Sequence, residues 1–188
     1  MTAPRIIAGL YKGRLLATPA GLTTRPTNTR ARQAAFDILL HAPWAGPSFI
    51  QSTRVLDVFA GTGAYGLEAL SRGATTATFM ENNRDALTAL RTNIQSCKAE
   101  SVTKVIPADA LNPPPGTPHN LIFLDPPYAQ NLIPQALTAL SKSNYFAPTT
   151  ILIAELGPTE TFSPPNILTT RQHGKARLIF WSNAPNIQ

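Results

Sequence analysis

The chain has 188 residues, 43% of them hydrophobic, which suits one domain with a sizeable core. Its single cysteine, Cys97, excludes an internal disulfide and fits a reducing, cytoplasmic setting. No apolar run approaches the roughly 20 residues that span a membrane, no signal-peptide pattern opens the chain, and the scattered His41, His119 and His173 have no metal-ligand spacing, so neither membrane nor metal is expected.

The formal charge of +6 is unevenly placed. Residues 1–54 hold seven basic groups (Arg5, Lys12, Arg14, Arg25, Arg30, Arg32, Arg54) against Asp37 alone, so the whole excess lies there. Arginine predominates, and its planar fork suits phosphates and stacking on bases. The asymmetry points to a nucleic-acid-binding extension, with Arg14, Arg25, Arg30 and Arg32 as candidate contacts.

Residues 5–18 read as two short strands about Tyr11-Lys12-Gly13, followed by an extended connector from Thr23 to Pro26. From Thr29, apolar residues at Ala31, Ala34, Ala35, Ile38, Leu39 and Ala42 recur at helical spacing, which predicts a helix that turns Arg30 and Arg32 outward. Residues 43–52 read as a loop. Strands are predicted near 54–58, 76–80, 102–106 and 120–124, interleaved with helices near 64–72, 84–97 and 131–143. Pro134 is tolerable because it falls in the first turn of its helix. The proline-rich 111–118 segment reads as a surface loop. Ile151–Ala154 is a fifth strand, and 167–171 with 176–181 form a closing pair around Gly174, which requires an antiparallel neighbour.

Two motifs carry chemistry. Val55-Leu56-Asp57-Val58-Phe59-Ala60-Gly61-Thr62-Gly63-Ala64-Tyr65-Gly66 reads as strand, glycine turn and helix. Gly61 and Gly63 let backbone approach a ligand, and Gly66 lets the helix pack near the strand. The pattern also satisfies G-x-G-x-x-G, which would suit a dinucleotide. Asp57, inside the strand, favours instead a ligand that is cationic at one end. Glu81, at the tip of the second strand, can accept from both ribose hydroxyls, and Asp109-Ala110 follow the third strand where an adenine amine could be met.

The second motif, Asp125-Pro126-Pro127-Tyr128, ends the apolar run 121–124. The Asp125 carboxylate and a main-chain carbonyl beside prolines that lack N–H can accept both hydrogens of an exocyclic amine, while Tyr128 stacks on the ring. Those four are the candidate catalytic residues. Asp57, Phe59, Gly61, Gly63, Gly66, Glu81, Asp109 and Ala110 are the candidate cofactor contacts.

On these residues the chain resembles the class I methyltransferases that use S-adenosylmethionine (SAM), and more narrowly the RsmD-type family. The narrower likeness is carried by Arg5-Ile6-Ile7-Ala8-Gly9, Gly13-Arg14, Thr24-Arg25-Pro26-Thr27, Arg32 and Phe36–Leu39, together with both motifs. The resemblance implies a Rossmann-like α/β fold: a seven-stranded mixed sheet, its last strand antiparallel, flanked by helices. An N-terminal hairpin and helix (1–52) would precede the methyltransferase domain (53–188). It implies SAM as cofactor, methylation of a guanine N2 amine in small-subunit ribosomal RNA, and an assembled or partly assembled small subunit as partner; a monomer is the default expectation. Three other readings stay open: an N6-adenine DNA methyltransferase, an NAD-dependent oxidoreductase, and a non-catalytic RNA-binding adaptor.

Overall fold

A computed structural model describes residues 4–19, 29–127, 130–173 and 176–184. Its first helix, α1 (Thr29–His41), forms where the spacing predicts and buries Ala31, Ala35, Phe36 and Leu39. The segment expected to be a loop contains a second helix, α2 (Pro47–Ser52), which follows Gly46 at φ 99°. Pro47 opens it, where the missing N–H costs nothing. Six residues are too few for apolar periodicity to announce.

The remainder alternates as predicted. In order come β1 (Arg54–Val58), α3 (Ala64–Ser71), β2 (Thr76–Glu81), α4 (Arg84–Ser96), β3 (Thr103–Pro107) and β4 (His119–Leu124). They are followed by α5 (Ile133–Lys142), β5 (Phe146–Leu156), β6 (Ile167–His173) and β7 (Ala176–Ser182). Asn83 caps α4, its side chain accepting from the Ala86 amide. Pro134 does lie in the first turn of α5. β5 starts five residues before the predicted Ile151. Its early part pairs Phe146 with His119 across an irregularity in register, and the Thr150 hydroxyl donates to the His119 carbonyl at 2.7 Å. Pro148 hides that early part from the sequence pattern.

The seven strands form one sheet in the order β3-β2-β1-β4-β5-β7-β6. The first five neighbours run parallel, and β7 is antiparallel to both β5 and β6. Alternate strand residues supply two cores. Val55, Phe79, Phe123, Ile153 and Phe180 pack with α1 to α4, whereas Leu56, Met80, Leu124, Leu152 and Trp181 pack with α5. No described helix is long and apolar enough to cross a membrane.

The N-terminal residues share the first of these cores, since Ile6 and Leu16 are each 1% exposed and join its cluster. The expected hairpin is a tight loop rather than two strands. One bridge joins Arg5 and Leu15, the Ile6 amide donates to the Arg14 carbonyl at 3.0 Å, and the Gly13 amide donates to Ile6 at 2.8 Å. Gly9 (φ 79°) lies so close to α3 that a Cβ there would sit 1.7 Å from the Ser71 carbonyl oxygen.

Candidate active site

The strand order reverses between β1 and β4, one leading toward β2 and β3, the other toward β5. In open parallel sheets, ligands bind at such a switch point, outside the carboxyl ends of the strands. Both motifs arrive there. The glycine turn leaves β1, the 125–127 segment leaves β4, and the Asp125 amide lies 3.5 Å from the Val58 carbonyl, continuing the ladder between them.

The turn is shaped by crowding on one side and space on the other. Gly61 and Gly63 hold φ 53° and 79°, a region that disfavours side chains. A Cβ on Gly63 would meet Leu90 at 2.4 Å, and one on Gly66 would meet the Phe79 ring at 2.3 Å, so helix and strand approach as the motif predicts. On Gly61 a Cβ would meet nothing nearer than the Phe59 carbonyl at 4.0 Å, so a ligand can reach that stretch of backbone. Phe59, at the end of β1, carries φ 60°, a strained conformation for a bulky residue of the kind that collects at binding sites.

Glu81 closes the turn from β2. One of its oxygens accepts from the Gly61 amide at 2.8 Å, and the other accepts from Asn82 and Asn83 at 2.9 and 2.8 Å. The carboxylate is thus fixed before any ligand arrives, with lone pairs that hydroxyl donors can share.

Asp57 is placed differently from the expectation of a carboxylate facing a cationic ligand. It is 2% exposed, and its Oδ2 accepts from the Gly66 amide at 2.8 Å, beneath the turn. Burial raises its pKa to about 7, against the opposing pull of that amide. Asp109 is exposed; its own carboxylate accepts from the Leu111 amide at 3.0 Å, and Ala110 packs into the α5-side core.

Asp125 is half-buried at the end of β4, Pro126 is buried and Pro127 is exposed. Tyr128 lies outside the described residues.

Residues 4–182 match a protein-family model described as conserved hypothetical protein 95. The ribosomal RNA small subunit methyltransferase D of Haemophilus influenzae is 36% identical over 156 residues, covering 80% of this chain and 77% of that protein. Its namesake in Escherichia coli K12 is 35% identical over 153 residues, covering 80% and 73%. The chain belongs to this family, the RsmD family of methyltransferases. Among solved structures, the Escherichia coli methyltransferase yhhF superposes with a TM-score of 0.80 at 32% identity, covering 97% of this chain and 98% of that one. A Salinibacter ruber RNA methyltransferase, solved with S-adenosyl-L-homocysteine, is similar at TM-score 0.57 over 83% of this chain, but at 14% identity the likeness is of fold alone. The fold is that of the class I methyltransferases, as expected.

The arginines expected at the surface divide between surface and core. Arg30 is exposed, as is Arg14, which donates to the Ser96 carbonyl, and Arg25 lies outside the described residues. Arg32 does not turn outward. It is fully buried, its Nη2 donates to the Arg5 carbonyl at 2.6 Å, and its Nε lies 3.7 Å from Glu68. The reason is charge: Glu68 of α3 is also fully buried and needs cations. Besides Arg32 it accepts from Arg72 Nε at 2.8 Å and from the Ile7 and Ala8 amides at 2.8 and 3.1 Å. Burial lowers the Arg32 pKa, partly opposed by the Glu68 charge. This cluster fastens the N-terminal loop to the helix that carries the glycine turn. Only the placement of Arg32 on the Phe36–Leu39 stripe hinted at it.

Glu155, the penultimate residue of β5, was also missed. It is an acid that ends a buried strand, the same signal that singled out Asp125, and it is 5% exposed beside Tyr65 of α3.

Proposed function

We propose that the chain methylates the exocyclic N2 amine of a guanine in small-subunit ribosomal RNA, with SAM as methyl donor. The observation that carries this reading is the meeting of Asp125-Pro126-Pro127 with the glycine turn at the sheet's switch point, in a member of a family whose named relatives are small-subunit ribosomal RNA methyltransferases.

The residues suit the donor. The open backbone at Gly61 and the fixed Glu81 carboxylate offer acceptors to ribose and main chain to the amino-acid part, with Phe59 and Ala110 as apolar walls. Bound there, SAM supplies an electrophilic methyl on a sulfonium. The protein's part begins with the target base, extruded from its stack because an amine inside a helix cannot reach the donor. That nitrogen's lone pair is delocalised into the ring and is weakly nucleophilic. The Asp125 carboxylate and the Pro126 carbonyl accept its two hydrogens, which favours a pyramidal nitrogen with its lone pair directed out of the ring. Holding that pose accounts for up to roughly 7–11 kcal/mol relative to free encounter. The Asp125 charge stabilises positive charge as the nitrogen–carbon bond forms and the carbon–sulfur bond breaks to leave a neutral thioether, and the acidic methylated nitrogen then loses one proton. Exposed Lys12, Arg14 and Arg30 supply cations for phosphates on the N-terminal side.

The test is incubation of the protein with labelled SAM and, in parallel, small-subunit particles from cells lacking the protein or unmethylated duplex DNA, then nucleoside analysis. N2-methylguanosine that forms with the wild type and is absent with Asp125→Ala, at unchanged SAM affinity, supports the reading. Methyladenine from DNA replaces it with the adenine-specific alternative. Parallel loss of activity and SAM binding in Asp125→Ala removes that side chain from the chemistry.

A further inference from the structure

Tyr65 and Glu155 have no part in the mechanism above, yet they lie against it. Tyr65 is in the first turn of α3, two residues after Gly63, and is 4% exposed. Its ring stacks on Phe123, with centroids 4.8 Å apart and planes at 27°. Its hydroxyl donates to Glu155 Oε2 at 3.3 Å. β4 and β5 run parallel with Leu124 beside Ala154, so the next rung sets Asp125 beside Glu155, on strands about 4.8 Å apart. Asp125 is one residue past β4 and two from Phe123, so continued alternation of the chain sets the two side chains on one face.

Packing alone does not call for this arrangement. A phenylalanine and an apolar residue would fill the same volume, so the phenol and the acid it meets are polar groups that the core does not require, set where α3 lies against the end of β4.

We propose that Tyr65 and Glu155 act together as positioning residues for methyl transfer. The Tyr65 ring braces the end of β4, and its hydroxyl holds the Glu155 carboxylate aside, keeping Asp125 in the pose that accepts the amine hydrogens. The phenol is suited to a permanent donor role. Burial first, then the charges of Asp125 and Glu155, push its pKa well above the ordinary value, with Arg32 of α1 opposing. Because Tyr65 sits in the first turn of α3, directly after the glycine turn, one rigid element then positions both that turn and the Asp125 carboxylate.

This inference rests on Asp125 as the amine-binding group. Its test compares wild type, Tyr65→Phe, Glu155→Gln, the double variant and Asp125→Asn in steady-state methylation of small-subunit particles, with SAM binding by calorimetry. Tyr65→Phe keeps the ring on Phe123 and Glu155→Gln keeps the volume, so either alone carries the test if the other fails to fold. Each single variant is expected to lower kcat about tenfold while KM for RNA and the Kd for SAM stay within about twofold. The double variant should be no slower than the slower single, because the two act as one unit. Single variants with wild-type kcat, losses confined to KM, or a double variant whose losses multiply would each overturn the pairing. Should Asp125→Asn remain fully active, the reading of Asp125 itself fails, an outcome distinct from inert single variants beside an inactive Asp125→Asn.

Discussion

Replacing Asp57 by asparagine tests the ionisation of the carboxyl buried beneath the glycine turn. The asparagine amide oxygen can still accept from the Gly66 amide, so the perturbation removes the titration and little of the geometry. Burial raises the carboxyl from 3.8 to about 7 in the folded chain. Between those values the folded protein holds a proton that the unfolded chain has released. The stability this provides is complete below the unfolded value and is lost as pH rises through the folded one. For one group with those two constants, the loss between about pH 5 and about pH 8 is on the order of 3 kcal/mol. Asp57→Asn has no such proton to lose. Urea unfolding of both proteins at the two pH values should therefore show the stability gap moving in the variant's favour by about that amount. Charges such as Arg32 and Glu81 act in both proteins and cancel to first order. A gap that is the same at both pH values would mean Asp57 is ionised throughout, and the argument from burial would fall.

Gly66→Ala should lower stability by roughly 1–2 kcal/mol in urea unfolding, since overpacking against the buried Phe79 ring outweighs the helical preference for alanine; a Tm above wild type would refute the contact. Arg32→Ala should cost about 3 kcal/mol by leaving Glu68 under-compensated, measured by the same method, whereas a change within about 0.5 kcal/mol would reassign it to the surface. Arg30→Ala should leave stability unchanged and lower the slope of log affinity for RNA against log salt by about one phosphate contact. An unaltered slope would remove Arg30 from the interface.

The sequence exposes what depends on local pattern. β1 emerges with its observed bounds because Val55-Leu56-Asp57-Val58 is flanked by punctuation on both sides, and the Gly66 approach to the strand follows from the motif's spacing. Elements without a pattern of their own escape: α2 is shorter than two turns, and Pro148 masks the start of β5. The Arg32 error has a different origin. Its place at i, i+4 and i+7 with Phe36 and Leu39 set it on the buried stripe, but its sign argued for solvent, and only Glu68, distant along the chain, resolves that conflict. The same limit applies to Asp57, where the spacing indicates a carboxylate near the turn but not that it faces inward beneath it.

Asn93 of α4 gives the N-terminal loop a structural role in the glycine turn. Its side chain donates to the Ala17 and Thr62 carbonyls at 3.1 and 2.9 Å, and its Oδ1 accepts from the Ala17 amide at 2.7 Å. One amide thus rivets the leading loop to a residue inside the glycine turn. The loop is therefore not a portable specificity module. A chimera that grafts it onto another methyltransferase would have to carry this asparagine along, or leave the loop without its anchor to the glycine turn.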